Sequence, residues 1–166
     1  MRIHAALTAA ALAATALLAT AGPAGADAPS DEWQFQLKTL ANKCVDVKDN
    51  STADRAPIIQ YGCHGGRNQQ FRVKSLGNGE VLIKSLIGKC LDVEDNSTAD
   101  HAPVIQYSCH GGPNQRFRPV VTPNGTSVIR TSAGKCLDVK NGSLDDDTLI
   151  TQYTCNNTPA QRFKPA

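Results

Sequence analysis

Four residues that could do chemistry occur together, and then occur together again. Asp46, Tyr61, His64 and Asn68 form one set, and Asp92, Tyr107, His110 and Asn114 repeat it with the same spacing. A carboxylate accepts hydrogen bonds from two neighbouring hydroxyls, and its charge strengthens them. The Asn amide both donates and accepts, and imidazole does either according to tautomer. The Tyr ring offers an apolar platform with a polar tip. Together these groups suit a neutral polyol with hydroxyls round its edge and C–H groups on its face. A third set keeps Asp138 and Tyr153, but Asn156 stands in the His position and Ala160 in the Asn position. Without that polar anchor the third site is expected to be weak.

Other chemistries fit these residues poorly. No activated Ser pattern, spare Cys or paired-carboxylate motif accompanies the histidines, so no catalytic residues are assigned. Asp49-Asn50-Ser51-Thr52-Ala53-Asp54 is rich in oxygen but lacks the Gly and bidentate Glu of a calcium loop, and reads as a solvated turn. The cysteines are too far apart for a zinc knuckle. No metal and no cofactor is expected. Net charge is +2, with no basic cluster to suggest nucleic acid.

The segments that must position these sets are themselves repeated. KCVDVKDNSTADRAPIIQYGCHGGRNQQFR, from Lys43, returns from Lys89 as KCLDVEDNSTADHAPVIQYSCHGGPNQRFR and from Lys135 as KCLDVKNGSLDDDTLITQYTCNNTPAQRFK. Cys44, Cys90 and Cys136 stand 46 residues apart, as do Cys63, Cys109 and Cys155, a period that marks a repeat architecture. Six cysteines allow many pairings, but the one consistent with threefold repetition joins Cys44 to Cys63, Cys90 to Cys109 and Cys136 to Cys155. Short apolar runs separated by turn residues predict about four short strands per unit and an all-β fold. In Cys-Leu-Asp-Val and its relatives, alternation places Asp on the face opposite its apolar neighbours. Asn78-Gly79 and Asn124-Gly125 predict tight turns between units, which together should close around a shared core.

The first 26 residues read as a signal peptide: Arg2, an uncharged Ala/Leu run, then Ala24-Gly25-Ala26 for cleavage. The apolar run is too short to span a bilayer, so a secreted, extracellular protein without membrane insertion is expected. The domain then covers 27–166, with repeats at about 33–74, 79–120 and 125–166.

The pattern C-L/V-D-V, then I-Q-Y-x-C-H, then G-G-x-N-Q-x-F resembles the ricin-type lectin repeat, whose hallmark is Q-x-W. Here the hallmark reads Gln69-Gln70-Phe71, Gln115-Arg116-Phe117 and Gln161-Arg162-Phe163. The resemblance covers the mature chain and is closest to modules attached to bacterial secreted glycosidases. It implies a β-trefoil with pseudo-threefold symmetry and up to three shallow sugar sites. It also implies that Asp46 and Asp92 grip hydroxyls, Tyr61 and Tyr107 stack on the ring, and His64, His110, Asn68 and Asn114 complete the rim. Phe in place of Trp should alter packing more than ligand. The hallmark glutamines are expected to bond within the fold. The reading is a lectin with saccharide or polysaccharide partners, of galactose or xylan type, with two good sites. The alternative is a secreted β-trefoil protease inhibitor.

Overall fold

Asn78 and Gly79 hold φ of 53° and 76°, the left-handed geometry a two-residue hairpin requires, and the chain reverses there. Among the described residues such turns separate thirteen short strands. The computed structural model describes residues 33–166, so the expected signal peptide and loose N-terminus lie outside the described residues. The first unit holds β1 (Trp33–Phe35), β2 (Leu37–Thr39), β3 (Cys44–Val47), β4 (Ala56–Tyr61) and β5 (Phe71–Gly77). The second holds β6 (Glu80–Ser85), β7 (Cys90–Val93), β8 (Val104–Tyr107) and β9 (Phe117–Val121). The third holds β10 (Ser127–Thr131), β11 (Cys136–Val139), β12 (Thr148–Tyr153) and β13 (Phe163–Pro165). The turn segments contribute only short 3-10 turns.

The pairings form two layers. β1 pairs with β5, β5 with β6, β6 with β9, β9 with β10, β10 with β13, and β13 with β2. Between β1 and β2, Gln36 exchanges backbone hydrogen bonds with Ala166, so the two strands act as one and the ring closes. The hairpins β3–β4, β7–β8 and β11–β12 form the second layer. They meet through Ala56 opposite Gln106, Thr148 opposite Gln60, and the Pro103–Thr151 bridge. A closed barrel capped by three hairpins about a pseudo-threefold axis is the β-trefoil.

Phe71, Phe117 and Phe163 are fully buried in one cluster with Leu91, Leu137, Ile58, Val104 and Ile150. Each buried aromatic contributes about 1.5–3 kcal/mol by leaving water. The hallmark aromatics therefore build the core in all three units. Disulfides join Cys44–Cys63, Cys90–Cys109 and Cys136–Cys155, the expected pairing.

In β3, β7 and β11 the Asp lies opposite its apolar neighbours, which join the core, as alternation predicts. Yet all four positions of each strand are buried, the Asp included. The core covers one face, and the turn that carries the hallmark Gln folds over the other.

Candidate functional site

Asp46 lies in the middle of β3, opposite Ile59 of β4, and only 2% of its surface is exposed. Burying a carboxylate is costly unless its oxygens are bonded. Asn68 Nδ2 donates to Asp46 Oδ1 at 2.9 Å and Gln69 Nε2 donates to Oδ2 at 2.8 Å. The hallmark glutamine is the fastener. Its second amide hydrogen goes to Gly62 O, and its Oε1 accepts from the backbone of His64 and Gly65. Gln69 is thus bonded within the fold as expected, and so are Gln115 and Gln161.

His64 is placed by the same turn. Its Nδ1 accepts from the Gly66 N–H at 3.1 Å, and its Nε2 faces Asp46 Oδ2 at 3.4 Å. Tyr61, at the end of β4, meets His64 edge to face with ring centroids 6.2 Å apart, and is 39% exposed. A Cβ on Gly66 would come within 2.6 Å of both His64 and Asn68, so a side chain there would push those two groups out of place. Asp46, Tyr61, His64 and Asn68 line one open depression of about 480 Å³. Burial raises the Asp46 carboxyl above its ordinary value, while bonds from Gln69, Asn68 and His64 pull against that rise.

The second unit repeats the construction. Asn114 and Gln115 donate to Asp92 at 2.7 and 2.9 Å, His110 Nε2 lies 3.3 Å from Asp92 Oδ2, and Tyr107 stands edge-on to His110 at 6.0 Å. Asp92, Tyr107, His110 and Asn114 line a smaller depression of about 260 Å³.

The third unit keeps the floor and changes the rim. Gln161 donates to Asp138 at 3.0 Å, and burial again raises that carboxyl. Thr158 occupies the position of Gly66, where a side chain would strike a histidine, and Asn156 turns back to accept from Thr158 N and Oγ1. Loss of His and gain of Thr are therefore one coupled change. Asp138, Tyr153 and Asn156 still line a depression of about 450 Å³.

Each depression also contains a side chain from another unit, which the sequence reading missed. Asp147 lines the first, Arg55 the second and His101 the third. The signal was present: within near-identical stretches, STADRAP and STADHAP differ at this residue. Its meaning depends on which hairpin meets which.

Among the described residues no group of His, Cys, Asp and Glu is arranged to hold a metal ion, and no helix is long and apolar enough to cross a membrane. Each site sets fixed acceptors and donors beside a Tyr ring, exposed in the first unit and half-buried in the other two.

Comparison with known proteins places this geometry. Residues 33–163 match the model of the ricin-type beta-trefoil lectin domain. Among solved structures, a designed threefold symmetric protein, ThreeFoil, is 39% identical with a TM-score of 0.79, over 80% of this chain and 97% of that one. An exo-beta-1,3-galactanase from Clostridium thermocellum is 30% identical with a TM-score of 0.78, over 80% of this chain and 30% of the enzyme. A Macrolepiota procera ricin B-like lectin, solved with lactose, shares the fold at 16% identity and a TM-score of 0.70, over 80% and 94%. No curated protein matches the chain.

Proposed function

The chain belongs to the ricin-type beta-trefoil lectin domain family, and from that premise we propose that it is a secreted lectin that binds galactose-type or xylan-type saccharides without altering them. One observation carries the reading: in the first two units a buried carboxylate is held by an Asn and a Gln, beneath a Tyr ring that reaches the surface and a His edge-on to it. Asp46, His64 and Asn68 take the hydroxyl edge of the sugar, and Tyr61 takes its C–H face. Asp92, His110, Asn114 and Tyr107 do the same in the second site. Asp138, Tyr153 and Asn156 make a poorer third site.

The galactanase name favours testing galactosides first, although this chain spans less than a third of that enzyme. The test is binding of the purified, oxidised protein to a panel of glycans and insoluble polysaccharides. Binding to one sugar class, competed by the free monosaccharide and reduced to that of the poorer third site in Asp46→Asn/Asp92→Asn, is the expected result. A folded protein silent across the panel would sink the lectin reading, and protease inhibition would be assayed next.

A further inference from the structure

Resting on the saccharide-binding reading, we infer that the side chain each unit lends to its neighbour's depression sets what that site prefers. Arg55, His101 and Asp147 stand 46 residues apart and are equivalent in the repeat. Each holds a positive φ, of 68°, 62° and 61°, where glycine would be free of strain and yet a side chain is kept. Arg55 N–H donates to Gln106 O at 2.9 Å and His101 N–H to Gln152 O at 2.8 Å, while Thr148 pairs with Gln60. The backbone thus crosses the repeat boundary at this residue and delivers its side chain beside Tyr107, Tyr153 and Tyr61 respectively.

The preceding residue is the internal control. Asp54, Asp100 and Asp146 are identical and make the same bond across the boundary, to Lys89, Lys135 and Lys43. That pair holds the boundary in the same way in all three units. The next side chain differs in all three units, and so does what it presents. Asp147, 3.2 Å from Lys48, adds a hydroxyl-accepting carboxylate to the first site. Arg55, held by Glu94 at 2.7 Å and Asp95 at 3.1 Å, adds a guanidinium with further N–H donors to the second. His101 packs against Tyr153 with ring centroids 4.7 Å apart, widening the third site's aromatic platform where the Asn anchor is missing.

The three sites share a floor and differ in the lent side chain, acidic, basic and aromatic, which is set among charged neighbours: Asp49 and Arg67 in the first depression and Asp95 in the second. The first favours an amino sugar over a uronate, the second shifts toward the uronate, and the third relies on stacking.

Amide NMR titration resolves the sites separately. The probes are galactose, galactosamine and galacturonate, with their gluco counterparts, added to the wild type, to the charge exchange Arg55→Asp/Asp147→Arg, and to His101→Ala. In the wild type the amine-to-uronate affinity ratio is higher at the first site than at the second, on the order of fivefold for exposed charges. The exchange reverses that order, and His101→Ala weakens the neutral sugar at the third site alone. Sites that bind sugar with ratios unmoved by the exchange would overturn the inference and leave the lectin reading standing. Well-dispersed spectra in which no probe shifts any amide would overturn both.

Discussion

Asp46 and Asp138 are carboxylates kept under cover, and burial sets their titration. Both carboxyls are raised above 3.8 by desolvation, opposed by Gln69, Asn68 and His64 in one case and by Gln161 and His101 in the other. The folded state holds those protons more tightly than the unfolded chain. Each therefore contributes stability below pH 3.8 that is lost as pH rises through the elevated folded value. Asp54, Asp100 and Asp146, lowered by their lysine partners, act in the opposite sense: their contribution is present above 3.8 and lost as pH falls. In the proposed sites the ionised form of the buried pair accepts the sugar hydroxyls. Affinity at the first and third sites should accordingly fall with acid while pH is still above 3.8 and the fold is intact. Per-site titrations against pH, with circular dichroism alongside, check this; affinity that declines only together with the fold would refute it. At this scale the Asp–Tyr–His–Asn sets were legible because repetition marked them. Arg55, His101 and Asp147 were not, because their sites lie in another unit.

The elements that carry those residues are tied across unit boundaries by a buried glutamine in each hairpin. Gln106 Nε2 donates to Ser51 O at 2.7 Å and Ala53 O at 2.9 Å, holding the turn that leads to Arg55. Gln152 does the same for Ser97 and Ala99, and Gln60 for Ser143 and Asp145. Gln106→Leu leaves two carbonyls short of a donor and should cost about 1–3 kcal/mol. The accompanying loss of sugar binding should be at the second site, where Arg55 is delivered, which per-site titration of the still-folded variant would show. The disulfides act on the same hairpins. Each spans a sequence separation of 19, so Cys136→Ala/Cys155→Ala should lower stability by about 3 kcal/mol in denaturant unfolding. Strands and turns were readable from alternation and from pairs such as Asn78-Gly79. At β3, β7 and β11 alternation placed the Asp on the outer face but could not show that a turn distant in sequence covers it.

For the whole molecule, the pseudo-threefold axis decides how binding reaches a useful strength. With β1 paired to β5 and β2 to β13, the ring joins all three units into one barrel that holds the depressions in set relative positions. Each is shallow and open, and a single exposed ring with a few hydrogen bonds gives weak affinity for a monosaccharide. A polymer or a glycosylated surface that reaches two depressions turns the second contact into an intramolecular one, which raises apparent affinity by about 10²–10⁴ without a new contact. The protein should therefore bind a multivalent surface far more tightly than the free sugar. Tyr107→Ala/Tyr153→Ala, leaving only the first site, should lose that excess while keeping first-site affinity for the monosaccharide. Surface plasmon resonance on dense and sparse glycan coatings separates the two cases. If the excess survives with one site, it arises from association of several molecules. If it is absent from the wild type, no surface ligand bridges two depressions of one molecule.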